Sequence, residues 1–114
     1  MANINNYGYE KLRSYILANW TYLEVQTDTG VPLKRFTLAD GLSITGNAAT
    51  QEIEYKIVIN GNSSFMNQTV NKSVLYDVIT GGTSIATEVF NEFTFESVDD
   101  QLTIIHKLQV PKIV

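Results

Sequence analysis

Every second side chain between residues 52 and 60 is apolar, and this alternation constrains the fold more than any other feature of the sequence. Ile53, Tyr55, Ile57 and Ile59 fall on one side of an extended chain, with polar or charged side chains between most of them. Successive side chains of a β-strand point to opposite faces, so one face of this segment is expected to be buried. The pattern predicts a strand of an antiparallel sheet with one face on a core.

Period two also describes most of the chain after residue 21, in short runs separated by turn-forming residues. Asp28-Thr29-Gly30 is predicted to be a turn, and the strand after it either begins beyond Pro32 or lies on a sheet edge, because proline has no backbone donor. Asn60-Gly61 is a turn signal because both residue types tolerate a positive φ. Shorter strands are expected at 21–25, 33–38, 42–45 and 73–79, with an extension at 85–89 and a bend at 90–91.

The last part of the chain is predicted to be a β-hairpin. Its arms are residues 92–97 and 102–110, and the polar segment 98–101 would form the turn. Glu96 is expected to point outward, and the only histidine, His106, shares the inward face of the second arm. The inward side chains are expected to be Phe93, Phe95, Leu102, Ile104, Leu108 and Val110.

The one helix predicted by the sequence covers about residues 9–19. Tyr9, Leu12, Ile16 and Trp20 follow the spacing of one helical face, which is expected to pack on the core. The helix should end near residue 19, because β-branched and aromatic residues follow.

These elements predict one mainly β domain spanning residues 1–114. The expected architecture is a single antiparallel β-sandwich or partly closed barrel of about seven or eight strands, from about residue 21 to 110, with one short N-terminal helix. A chain of 114 residues with 44% hydrophobic and 18% charged residues has the composition of a globular domain with one core.

Composition also excludes several classes of function. The formal net charge of -4 and the scattered basic residues disfavour binding to nucleic acid. The absence of cysteine excludes disulfides, thiolate metal ligands and a cysteine nucleophile. No apolar run is long enough for a membrane span, and the first residues lack the pattern of a secretory signal. The chain is therefore expected to be made in the cytoplasm and not to bind membranes.

No catalytic, cofactor or metal site is predicted. His106 is interpreted as a partly buried strand residue, since a zinc site needs further nitrogen or sulfur ligands. Asp99 and Asp100 lack the sequence of a calcium loop, and Gly81-Gly82 lacks the lysine of a phosphate-binding loop. A small hydrolase using His106 or a pair of acids stays as a third alternative.

The first 22 residues are rich in aromatic side chains, which occur both in cores and at the centres of interfaces. Tyr9, Trp20 and Tyr22 are the candidate interface residues, although a core role is the ordinary interpretation. Trp20 and Tyr22 lie on the strand face opposite Leu23 and Val25. One of these two faces must therefore be covered by the helix or by a partner.

Several segments together resemble small virion structural proteins of tailed phages and prophages. They are residues 9–24, the Asp28-Thr29-Gly30 turn with Pro32-Leu33-Lys34-Arg35, the Gly81-Gly82-Thr83 insert, and residues 93–96, 100–104 and 109–111. The resemblance implies a non-enzymatic tail, baseplate or connector protein. Such a protein would form a homo-oligomer or bind other virion proteins.

The alternative is a small binding module for carbohydrate or protein that uses the aromatic N-terminal face. In that case Trp20 and Tyr22 would form an exposed platform on which a sugar ring stacks. An assembly protein would instead bury this face against a neighbouring subunit.

Overall fold

The protein is described by a computed structural model over residues 2–62 and 64–111. Within these residues it has one α-helix and seven strands, with a short 3-10 helix at Leu38–Asp40. This α-helix is too short and too polar to cross a membrane. The elements are α1 (Asn6–Asn19), β1 (Tyr22–Thr27), β2 (Pro32–Phe36), β3 (Ser43–Thr45), β4 (Glu52–Asn60), β5 (Thr69–Tyr76), β6 (Ala86–Thr94) and β7 (Gln101–Gln109).

The strands form two antiparallel sheets that pack face to face, which confirms the predicted sandwich. The first sheet has the strand order β2-β1-β5-β6, and the second has the order β3-β4-β7. The sheets do not close into a barrel. Pro32 lies in β2 at an edge of the first sheet, where a missing backbone donor costs no ladder hydrogen bond.

The core lies between the two sheets and is built from the alternation seen in the sequence. Ile53, Tyr55, Ile57 and Ile59 of β4 are all buried, as predicted. From the first sheet, Leu23 and Val25 of β1 join Val70 and Leu75 of β5, and the aromatic side chains of Phe36, Phe65 and Phe95 pack at the same core.

The predicted hairpin between residues 92–97 and 102–110 is wrong. β6 pairs with β5 in the first sheet, whereas β7 pairs with β4 over nine residue pairs in the second. The segment 95–100 therefore crosses from one sheet to the other. Its backbone is tied to the 61–67 segment, because Gly61 N–H donates to the carbonyl of Asp100 at 2.8 Å and Asn67 N–H donates to that of Phe95 at 2.8 Å.

Other strand boundaries also differ from the prediction. β5 is Thr69–Tyr76 rather than 73–79, so residues 77–83 form a loop. Residues 85–97 do not divide at a bend, because β6 runs from Ala86 to Thr94. The expected bend at 90–91 appears only as a shift in the register between β5 and β6. The strand predicted at 33–38 ends at Phe36, and Leu38 begins the 3-10 helix.

Gly61, in the turn after β4, was predicted to be there because it tolerates a positive φ, but the structure shows a different reason. Asn60 and Gly61 are not among the residues with a positive φ. A Cβ atom at Gly61 would instead overlap the carbonyl oxygen of Ser97. The glycine therefore permits the close approach of the 95–100 crossing.

Candidate interaction surface

Helix α1 is held on the sandwich mainly by a buried arginine. Nε of Arg13 donates to the carbonyl of Ala48 at 2.7 Å, and Nη1 donates to the carbonyl of Val110. Ile16 is buried beside it. Where the helix ends, the hydroxyl of Tyr55 donates to the carbonyl of Trp20 at 2.8 Å. The orientation of the helix is therefore fixed by contacts to the end of the second sheet where β4 begins and β7 ends, and by Tyr55 within β4.

The predicted core face of the helix is wrong at one position. Leu12 was expected to face the core, but it is 44% exposed, and Arg13 takes the buried position. An apolar residue on a helix surface is ordinary when it stands alone. Leu12 does not stand alone, because other large apolar side chains of this segment are also exposed.

The side of α1 away from the sandwich carries a stripe of apolar side chains. Tyr7 is 66% exposed, Tyr15 is 59% exposed and Ile4 is 52% exposed. We call Ile4, Tyr7, Leu12 and Tyr15 the outer helix surface. Residues four apart lie on the same side of a helix, so Tyr7, Lys11 and Tyr15 form a row opposite the buried Arg13 and Ile16.

Gly8, in the first turn of the helix, lets Ile4 from the preceding segment join the outer helix surface. Glycine inside a helix costs roughly 0.5–1 kcal/mol relative to alanine, so its presence calls for a structural reason. A Cβ atom at Gly8 would lie 2.6 Å from Cγ2 of Ile4. The missing side chain thus lets Ile4 pack over the first turn.

Few charges interrupt the outer helix surface. Between residues 2 and 20 the charged residues are Glu10, Lys11 and Arg13, and Arg13 is buried. The ammonium of Lys11 lies 5.2 Å from the centre of the Tyr7 ring, within the range of a cation–π interaction. Depletion of charge together with exposed aromatic residues is the composition of an interface core.

The sequence-predicted interface residues lie beside this surface rather than at its centre. Tyr9, Trp20 and Tyr22 are half-buried, and Trp20 packs against the core. Tyr22 stands opposite Tyr76 in the β1–β5 pairing. Tyr7 and Tyr15 belong to the aromatic N-terminal segment seen in the sequence, but they were not among the candidate interface residues.

A second feature is a cluster around Arg35, which holds the loop 77–83 against the first sheet. Arg35 pairs with the carboxylate of Glu24 at 2.8 Å, and its Nη1 donates to the carbonyls of Val78 and Gly81, each at 2.9 Å. The guanidinium centre lies 3.5 Å from the ring centre of Tyr76. We call these residues the Arg35 cluster; they hold the loop while Val78 and the adjacent Ile79 stay exposed.

His106 lies between the two sheets, as its place in the alternation predicted. It is 2% exposed, and its Nδ1 lies 2.9 Å from Oγ of Ser73 on β5. The carboxylate of Glu88 on β6 is 4.0 Å away. Burial lowers the pKa of His106, while Glu88 and the Ser73 hydrogen bond act in the opposite direction. Ser73 is also fully buried, so a substrate could reach this pair only if the sheets separated.

The acidic residues of the 95–100 crossing organise its backbone. The carboxylate of Asp100 accepts hydrogen bonds from the N–H groups of Glu96 at 2.8 Å and Ser97 at 3.0 Å. Glu96 points outward, as predicted. No group of three or more metal-ligating side chains occurs within the part of the chain that the structure describes.

Comparison with known proteins found no matching protein-family model, curated protein or solved structure. The outer helix surface combines exposed aromatic and aliphatic side chains with few charges.

Proposed function

We propose that this chain is a non-enzymatic assembly domain that binds copies of itself or neighbouring subunits through the outer helix surface. The exposed row of Tyr7 and Tyr15 on a helix fixed to the sandwich is the observation that carries the proposal. The resemblance to small virion structural proteins supports the same class, so we propose a tail, baseplate or connector component.

The outer helix surface combines exposure with preorganisation. Aromatic side chains contribute large contact areas at a low cost in side-chain entropy, so they are favoured at the centres of interfaces. Arg13 and Ile16 fix the opposite side of the helix. A partner would thus meet a surface that is already in place, which lowers the entropic cost of binding.

The alternative functions have less support from the geometry. A sugar-binding platform needs exposed rings, but Trp20 and Tyr22 are half-buried and Trp20 packs on the core. A hydrolase needs an accessible base, but His106 lies between the sheets. The apolar stripe is therefore better explained by a protein partner.

The test is the solution mass of the whole chain, measured by light scattering over a wide range of concentration. We expect a defined oligomer that persists on dilution, and we expect the double variant Tyr7→Ser, Tyr15→Ser to shift it to a smaller mass. Val98→Ser is the matched control, because Val98 is 63% exposed but lies in the 95–100 crossing. A chain that stays monomeric at all concentrations, or a double variant that behaves like the control, would contradict self-association through the outer helix surface.

A further inference from the structure

Within the residues that the structure describes, strand β7 has a strand partner on one side only. It is the last strand of the second sheet, and it pairs with β4 without a register shift. The carbonyl of Asp100 and the N–H of Val110, just outside the strand, both bond on the β4 side. Antiparallel pairing alternates, so the even-numbered residues bond to β4 and the odd-numbered residues direct their N–H and C=O groups outward.

The N–H of Lys107 confirms this direction, because it points away from β4. It donates to the carboxylate of Glu88 at 3.2 Å. The residues whose backbone groups point outward are also exposed in their side chains. They are Gln101, Thr103, Ile105, Lys107 and Gln109.

The other sheet edges are protected against pairing. β2 carries Pro32, β3 is three residues long, and β6 pairs irregularly with β5. Proline, short length and bulges are the usual means by which proteins prevent edge association. β7 has none of the three, and a single carboxylate from Glu88 covers one of its outward donors.

We propose that β7 pairs with β7 of a second copy of this chain, antiparallel and about a two-fold axis at Ile105. This inference rests on the proposed function, since it names one contact by which the domain self-associates. The second sheet of one copy would then join the second sheet of the other copy. The result would be one sheet of six strands, in the order β3-β4-β7-β7-β4-β3. A two-fold axis requires each surface to be complementary to itself.

The register at Ile105 satisfies this requirement. Ile105 would lie opposite the partner subunit's Ile105, and Lys107 would lie opposite the partner subunit's Thr103. Gln101 would lie opposite the partner subunit's Gln109, where two amides can bond to each other. No like charges oppose each other, and the odd-numbered residues meet as hydrogen-bonded pairs, as their outward backbone groups require.

Glu88 must release Lys107 N–H for this pairing to form. Its side chain is 43% exposed, so it can turn into solvent without leaving a buried charge. The carboxylate therefore competes with the partner strand for one donor. Glu88→Ala is expected to strengthen the dimer.

Single cysteines test the register directly, because the chain has no cysteine of its own. Opposed residues in a hydrogen-bonded pair are about 5.5 Å apart at Cα, within the range of a disulfide. Ile105→Cys should therefore cross-link to itself under mild oxidation. Thr103→Cys alone should not, since its two copies would be roughly 14 Å apart along the strands.

A mixture of the Thr103→Cys and Lys107→Cys chains provides the decisive comparison. The mixture should give a cross-linked dimer, while each variant alone should stay monomeric on a non-reducing gel. All three positions are exposed, and circular dichroism checks that each variant folds. Equal cross-linking by every single variant, or none by Ile105→Cys, would overturn the register.

A charged residue at position 105, on the proposed two-fold axis, distinguishes the β7 contact from the contact through the outer helix surface. Ile105→Glu would face Lys56 within its own sheet, but it would place two carboxylates together across the two-fold axis. We expect the dimer Kd to rise roughly tenfold or more. Val58→Glu is the control, because Val58 is 45% exposed but lies on β4, away from the edge.

The two interfaces then give distinct results in the light-scattering measurement. If Ile105→Glu leaves the mass unchanged while the Tyr7→Ser, Tyr15→Ser variant lowers it, the edge pairing is wrong and the helix-based assembly stands. If Ile105→Glu lowers the mass while Val58→Glu does not, the edge pairing is supported. A mass lowered equally by both glutamate variants would contradict the edge as the contact.

Discussion

At the scale of single residues, Arg35 is the side chain that ties the loop 77–83 to the first sheet. Its guanidinium joins a carboxylate, an aromatic ring and two loop carbonyls. Arginine suits this position because its planar group donates in several directions while stacking on a ring. A lysine has neither the plane nor the number of fixed donors.

Replacing Arg35 with methionine should therefore release the loop 77–83. The side chains of Arg35 and Glu24 are only 11% and 10% exposed, so the variant leaves the nearly buried carboxylate of Glu24 without its cationic partner, although Gln26 still donates to it. We expect the free energy of unfolding to fall by about 3 kcal/mol, measured by urea denaturation. Hydrogen exchange at residues 78–83 should also become faster.

The neighbouring cation on the same strand provides the control. Lys34 lies 3.9 Å from Asp40, and both side chains are well exposed. Lys34→Met should cost less than about 1 kcal/mol, as is usual for surface pairs. If Arg35→Met costs no more than Lys34→Met, the Arg35 cluster does not hold the loop.

At the scale of elements, the sequence predicted strands better than it predicted their partners. The alternation in β4 is a local property, and it determined both the strand and its buried face. The pairing of β6 and β7 is not local. Phe93 and Phe95 would face a core equally well in a hairpin or in a crossing between sheets, so the pattern could not distinguish the two.

The helix shows the same limit on its buried face. Leu12 is apolar and Arg13 is charged, so hydropathy alone assigns the wrong residue to the core. Arg13 is buried because two backbone carbonyls, from Ala48 and Val110, lie within reach in the folded chain. The spacing of apolar residues along one helix cannot predict contacts with residues so far away in the sequence.

The docking of α1 should therefore depend on Arg13. Arg13→Met keeps much of the aliphatic stem but leaves the carbonyls of Ala48 and Val110 without their donor. A helix of 14 residues is marginal by itself in water, so it should fray when it is released. We expect a loss of about 2 kcal/mol in docking free energy, with faster hydrogen exchange over residues 9–19.

Trp20 reports on the same event, because it is the only tryptophan and packs against the core. Its fluorescence should shift to longer wavelength in Arg13→Met as its ring becomes hydrated. Lys11→Met serves as the control, since Lys11 is exposed and its ammonium lies over the Tyr7 ring. Unchanged fluorescence and exchange in Arg13→Met would show that the helix docks without this residue.

At the scale of the whole molecule, His106 is a titratable group buried between the two sheets. Residues on three other strands face it: Tyr55 on β4, Ser73 on β5 and Glu88 on β6. Of these, Glu88 is the charged group. Protonation of His106 would place a cation in the interior, which burial disfavours, and the pKa of His106 is lowered accordingly.

Stability should therefore fall as the pH falls below about 6.5. The unfolded chain binds a proton at His106 near that pH, whereas the folded chain binds it only at lower pH. The unfolded state then holds more protons, so the free energy of unfolding decreases by up to roughly 1.4 kcal/mol per pH unit. Above pH 6.5 both states are neutral at this residue, and the stabilisation is complete.

The measurement is urea denaturation between pH 7.5 and 5, in the wild type and in His106→Gln. His106 is the only histidine, and the hydrogen bonds from Thr37 that lower the pKa of Asp40 act only at more acidic pH. The glutamine variant should thus lose the dependence on pH even if its stability is lower throughout. Glu88→Gln removes the carboxylate that raises the pKa of His106, so its decline should begin at the same pH and continue further. A wild-type stability that stays constant over this range would show that His106 is protonated as easily inside the sandwich as in the unfolded chain.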